Sequence, residues 1–235
     1  MTEANGKTNG QAHIYWIGGS KGGVGKSMMT LAVLDYLLDA GEKVLLVECD
    51  TSNPDVWAAY EQLVRTELIN LDEADGWIHL VNTCDAHRDG VVVVNTAARN
   101  NVGVKQYGQT LDGSLEELGR KLVALWVINR QRDSLELLRE FMESVPKADV
   151  HVVRNGYFGE EKKFELYNAS KIRAAVESRG GKSVTLPDLA DRVADDIYTS
   201  RLALSVAAKK LPIGNRAELG RWRSEVRKVL AEVLS

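Results

Sequence analysis

The chain has 235 residues, of which 44% are apolar and 27% charged, and its formal net charge is −3. This is a globular composition with enough apolar residues for a sizeable core, and it excludes a chain that binds nucleic acid through bulk positive charge. Two cysteines, Cys49 and Cys84, are too few for a disulfide framework and suit a reducing compartment.

The opening "MTEANGKTNGQA" lacks the apolar stretch of a signal peptide. Residues 1–12 read as a flexible polar tail, and 13–235 as a single domain. No apolar run approaches the roughly 20 residues that span a bilayer. The expectation is a soluble cytoplasmic protein.

In chain order, "HIYWIGG" (13–19) reads as a buried strand ending in glycine. "KSMMTLAVLDYLLDAG" (26–41) has apolar residues at helical spacing and stops at Gly41. A second buried strand follows at 43–49, and a helix at 56–64. "WIHLVN" (77–82) and "GVVVVN" (90–95) read as strands, with a Gly- and Asn-rich loop expected over 96–114. Then come a strand at 122–129, a helix at 133–145, a strand at 149–155, a loop over 155–163 and a helix around 161–178. A last strand at 182–187 and helices at 188–200 and 217–234 close the chain.

Apolar strands alternating with helices predict an α/β fold with a predominantly parallel twisted sheet covered on both faces. In such sheets the ligand site lies beyond the carboxyl ends of the strands. The loops after residues 19, 49, 95, 129, 155 and 187 are therefore the places to search.

"GGSKGGVGKS" follows a strand and opens a helix, the context of a phosphate-binding P-loop. Its glycines let backbone N–H groups turn toward phosphate oxygens, and the helix N-terminus adds its positive dipole end. Gly22, Gly23, Val24, Gly25, Lys26, Ser27 and Met28 are the candidate nucleotide-binding residues. Lys26 is expected to reach the β- and γ-phosphates, and the Ser27 hydroxyl to ligate Mg²⁺.

A second lysine, Lys21, opens the pattern K-G-G-x-x-x-K-[ST]. Lys21, Gly22, Gly23, Lys26 and Ser27 resemble the deviant Walker A signature of the ParA/MinD ATPases. The resemblance implies a P-loop NTPase fold, ATP and Mg²⁺ as cofactors, and a homodimer that forms on ATP. In it, Lys21 of each copy would reach the phosphates held by the other.

It also implies roles further along the chain. Asp50 in "VECDTSNPD" aligns with an acid that lies near Mg²⁺ and helps position the attacking water, which makes Lys21, Lys26 and Asp50 the candidate catalytic residues. Glu48 stands where relatives carry a first Asp. Asn95 aligns with the Walker B aspartate, and an amide brings no charge to a hard cation. Slow hydrolysis is the expectation, with Glu48 and Asn95 acting on the metal through water. Asn155 is implied to hydrogen-bond the purine ring, and Pro187 in "TLPDL" to border it.

His79, Cys84 and His87 match no common zinc spacing. Over 215–235, Arg216, Arg223 and Arg227 lie close to one line, with Arg221 and Lys228 nearby and Lys209 and Lys210 preceding. That face can be a landing strip for nonspecific DNA, a membrane-binding helix, or the solvated side of a core-docked helix; the membrane is the least favoured. The implied function is an ATP-driven switch that works with a small adaptor protein on a cargo such as plasmid DNA or a DNA-transfer complex. The alternative is a nucleotide-gated binding protein with negligible hydrolysis.

Overall fold

The computed structural model describes residues 12–20 and 22–234. Lys21 and most of the N-terminal tail lie outside the described residues.

The elements are β1 (His13–Gly19), α1 (Lys26–Asp39), β2 (Val44–Glu48), α2 (Asp55–Tyr60), β3 (Arg65–Leu68), α3 (Ala74–Ala86), β4 (Val91–Asn95), α4 (Asn101–Leu118), β5 (Lys121–Ile128) and α5 (Asp133–Ser144). They continue as β6 (Asp149–Asn155), α6 (Glu165–Asn168), α7 (Lys171–Ser178), β7 (Ser183–Leu186), α8 (Asp191–Thr199), α9 (Leu204–Lys210) and α10 (Ile213–Val233). The strands form one sheet in the order β3-β2-β4-β1-β5-β6-β7, and every pairing is parallel. The α/β reading therefore holds.

Continuous apolar strands need cover on both sides. On one face Ile17, Leu46, Val93 and Val127 pack with α1, α8, α9 and α10. On the other, Trp16, Val47, Val94 and Trp126 pack with α3, α4, α5 and α7. Trp16 lies 5.8 Å from Trp77 and 6.0 Å from Phe141, ring centre to ring centre, and all three rings are buried.

The structure corrects several local expectations. Residues 77–82 belong to helix α3, not to a strand. Trp77, Leu80 and Cys84 are buried at helical spacing while Ile78 is half exposed. The strand on that side of the sheet is β3, "RTEL", which has no apolar run because it is an edge strand with a partly exposed face. The expected loop over 96–114 is mostly helix α4. Its Gly103 stands where an added Cβ would meet the Leu71 carbonyl at 1.9 Å, so this glycine serves close packing rather than a turn. The expected helix around 161–178 is broken into a short turn, α6 and α7, and α9 lies where no helix was expected.

Candidate nucleotide-binding site

The carboxyl ends of the strands open onto a cavity of about 750 Å³. Gly22, Gly23, Gly25, Lys26, Ser27, Met28, Asp50, Asn95, Asn155 and Pro187 all line it. A larger hollow of about 970 Å³ between α5 and α7 holds none of the residues singled out from the sequence. Size alone does not choose the site. The loop after residue 129 is not part of the cavity wall; instead it braces the P-loop, because Ser134 Oγ bonds Asn129 Oδ1 and Ser20 Oγ, each at 2.9 Å.

The P-loop geometry follows from its glycines. Gly23 and Gly25 have φ of 75° and 106°, a region that L side chains rarely adopt. Gly25 stands at the head of α1, with no side-chain cap on that helix. First-turn N–H groups left without side-chain acceptors suit a phosphate group. At Gly22 and Gly23 an added Cβ would meet nothing within 4 Å, so the backbone faces open space. Val24 differs from its neighbours: its side chain is buried in the core, and its carbonyl faces Asn155.

Lys26 is buried, and desolvation lowers its ammonium pKa to about 8 against the opposing pull of Asp50. A desolvated cation facing a cavity gains from an incoming polyanion. Ser27 and Asp50 place a hydroxyl and a carboxylate on the same wall. This all-oxygen donor pair fits Mg²⁺: Ser27 and Asp50 would hold the ion, which would supply positive charge against a phosphate group.

Glu48 and Asn95 end adjacent strands at paired register positions. Asn95 Nδ2 donates to both Glu48 carboxylate oxygens at 2.9 and 3.0 Å, and the Asp50 backbone N–H donates to Glu48 Oε1 at 2.9 Å. On its other side Asn95 Oδ1 accepts from Thr30 Oγ1 at 2.8 Å. Burial pushes the Glu48 carboxyl up to about 7, against the hydrogen bonds from Asn95 and the Asp50 backbone, which hold it down.

Asn155 is committed to the protein on both sides. Nδ2 donates to Val24 O at 2.9 Å, and Oδ1 accepts from the Tyr157 backbone N–H at 3.1 Å. These two bonds leave one N–H of the amide over. Pro187 sits across the cavity, its carbonyl accepting from Trp222 Nε1 at 2.7 Å.

Three contributors were not singled out for the site from sequence. Thr30 is a buried hydroxyl one turn beyond Lys26, and its only signal is a polar residue on an apolar helix face. Trp222 holds the Pro187 loop from a helix that belongs to the core. Arg99 joins the loop after β4 to the loop after β2. It bonds Asp72 at 2.5 Å, Ser52 and Thr51 at 3.0 Å each, and lies 3.6 Å from Asp50 Oδ1.

The basic line on α10 is largely neutralised. Arg223 pairs with buried Asp35 at 2.7 Å, Arg227 with Asp39 at 2.9 Å, and Arg221 with Glu218 and Glu225. Arg216, Lys209, Lys210 and Lys228 enter no ion pair among the described residues. No helix among the described residues is long and apolar enough to cross a membrane.

Residues 15–157 match the family model described as the CobQ/CobB/MinD/ParA nucleotide binding domain. The chain belongs to this ParA/MinD family. The match runs from β1 past Asn155, so it contains the P-loop and the loops carrying Asp50 and Asn95. Among curated proteins, the chain is 71% identical to Protein MobD of Acidithiobacillus ferrooxidans over 94% of this chain and 97% of that protein. It is 26% identical to Protein TraL of Escherichia coli, over 70% of this chain and 74% of that one. Among solved structures, the septum site-determining protein MinD complexed with Mg-ADP, from Pyrococcus horikoshii, shares the fold. Its TM-score is 0.57 at 15% identity, covering 96% of this chain and 99% of that one.

Proposed function

We propose that this ParA/MinD-family chain is an ATP-binding switch that dimerises on ATP and hydrolyses it slowly with Mg²⁺. The observation that carries the reading is the single cavity wall shared by Lys26, Ser27, Asp50, Asn155 and Pro187. Those five residues lie at or just beyond the carboxyl ends of four separate strands, and each was singled out for nucleotide chemistry on sequence grounds.

Lys26 and the α1 N-terminus hold the phosphates, Ser27 and Asp50 hold Mg²⁺, and the Asn155 and Pro187 loops border the base. Lys21 supplies the cross-subunit cation, and a small adaptor stimulates turnover. The cargo is plasmid DNA or a DNA-transfer complex. The test is light scattering without nucleotide and with ADP, ATP or a nonhydrolysable analogue, for wild type and Lys21→Ala. A dimer with ATP in wild type alone supports the switch; an oligomeric state indifferent to nucleotide in both proteins overturns it.

One observation favours a second reading. Asn95 ends β4 with an amide already bonded to Glu48 and Thr30, which suits a nucleotide-gated binder with negligible hydrolysis. Phosphate release measured with and without the adaptor separates the two.

A further inference from the structure

A continuous hydrogen-bonded chain runs along the cavity from α1 through the end of β4 to the end of β2. Thr30 Oγ1 lies 2.9 Å from the Lys26 carbonyl and 2.8 Å from Asn95 Oδ1. Asn95 Nδ2 reaches both oxygens of Glu48, and Glu48 Oε1 takes the Asp50 N–H. The chain thus begins at the P-loop lysine and ends at the candidate Mg²⁺ ligand. Thr30, Asn95 and Glu48 are all nearly inaccessible, at 0%, 3% and 0% exposure.

With Glu48 ionised, the chemistry fixes the orientation of every member. A carboxylate only accepts, so the amide must turn its N–H₂ toward Glu48 and its oxygen toward the Thr30 hydroxyl. An aspartate in place of Asn95 would put carboxylate oxygen against carboxylate oxygen at hydrogen-bond distance. Either like charges would then face each other in a dry site, or the pair would bind a proton at a raised pKa, which costs stability as pH rises above neutrality.

We propose that Glu48 and Asn95 form a matched pair, in which β2 alone carries the negative charge of the pair and Asn95 is the positioning residue that couples this charge to the P-loop helix. Asn95 is then matched to Glu48 and is not a degenerate acid. Glu48 orients the Asp50 backbone through the Asp50 N–H, and so acts on the metal through Asp50. The metal part of this inference rests on the proposed nucleotide function; the pairing itself does not.

A double-mutant cycle on the full chain tests it, with Asn95→Asp, Glu48→Gln and the combined variant. In the combined variant the new amide on β2 still accepts the Asp50 N–H through its oxygen, and its nitrogen donates to the new carboxylate on β4. The charge is moved by one strand, and the hydrogen bonds are preserved. Thermal melts without nucleotide should show Asn95→Asp lowered by about 5 °C or more, and the combined variant restored to within about 2 °C of wild type. A single Asn95→Asp as stable as wild type, or a combined variant no better than that single, overturns the pairing.

The second readout is the Mg²⁺ concentration needed for tight binding of a fluorescent ATP analogue. Glu48→Gln should raise it about tenfold, and the combined variant should return it to within about threefold. A cycle that restores the melts but leaves the Mg²⁺ requirement flat across all variants reduces Asn95 to a structural role and overturns the positioning claim. Wild type that binds no ATP overturns the proposed function instead, and the melts still decide the pairing.

Discussion

The side-chain amide of Asn155, at the end of β6, donates to the Val24 carbonyl in the middle of the P-loop at 2.9 Å. The contact is tight enough that a Cβ on Gly25 would come within 2.3 Å of the same nitrogen. Asn155 therefore clamps the phosphate loop, whatever it offers to a base. Asn155→Ala leaves the Val24 carbonyl and the Tyr157 N–H without these partners, at an expected cost of about 1–3 kcal/mol. Affinities for ATP and GTP measured on this variant separate the roles. A clamp weakens both nucleotides equally. A shift in their ratio shows that the remaining N–H reads the purine.

Arg99 presents a different case, because its partners are on loops. It draws together Asp72, Ser52 and Thr51, beside Asp50. The Arg99 side chain is 41% exposed, so the pairing contributes little to global stability. Arg99→Ala should lower stability by no more than about 1 kcal/mol while speeding amide exchange over residues 50–53. Hydrogen exchange read by mass spectrometry checks this, and unchanged protection of that loop counts against a latch.

The sequence carried the sheet and the site unequally. Four of the seven strands are largely apolar runs buried on both faces, and β6 carries three buried valines; such patterns are visible without a structure. At one edge, β7 alternates half-buried and buried residues, a weaker pattern that still marks a strand. At the other, β3 is polar, and its identity depends on pairing with β2. Residues 77–82 misled because a short apolar run fits a strand or a buried helix equally well until its length is known. The P-loop was legible because its chemistry is local: glycines, a lysine and a serine close together in sequence. Thr30, Arg99 and Trp222 were not, because each acts on a loop remote in sequence. The link from Trp222 to Pro187 spans 35 residues, and that from Thr30 to Asn95 spans 65.

Trp222 gives a test that separates packing from hydrogen bonding. The ring is fully buried, and its N–H bonds the Pro187 carbonyl at 2.7 Å. Trp222→Phe retains most of the apolar contact but leaves that carbonyl unsatisfied, at about 1–2 kcal/mol. Trp222→Ala also opens a cavity and should cost about 3–5 kcal/mol. If the Pro187 loop borders the bound base, Trp222→Phe weakens ATP binding by more than its fall in stability accounts for. Isothermal titration of both variants well below their melting temperatures checks this.

The basic residues of α10 yield the last prediction, because Arg221, Arg223 and Arg227 pair with acids. Arg223 makes two bonds to Asp35 of α1, at 2.7 and 2.8 Å, and Asp35 is only 6% exposed. Arg223→Ala strands a buried carboxylate and should cost about 3 kcal/mol. Any accompanying loss of DNA binding would be ambiguous, since α10 packs on the core through Leu219, Trp222, Val226 and Leu230. Lys209, Lys210, Arg216 and Lys228 are the informative positions, being free of ion pairs among the described residues. Changing these four to Gln should leave the melting temperature within about 2 °C. With so few unpaired cations, nonspecific duplex binding by wild type should be weak, with a slope of log K against log salt no steeper than about −3.6. Fluorescence anisotropy on a labelled duplex, from low salt to about 0.15 M, decides the matter. Binding that the four-residue variant loses assigns the landing strip to this face. Tight binding that survives the change places any DNA contact elsewhere on the molecule.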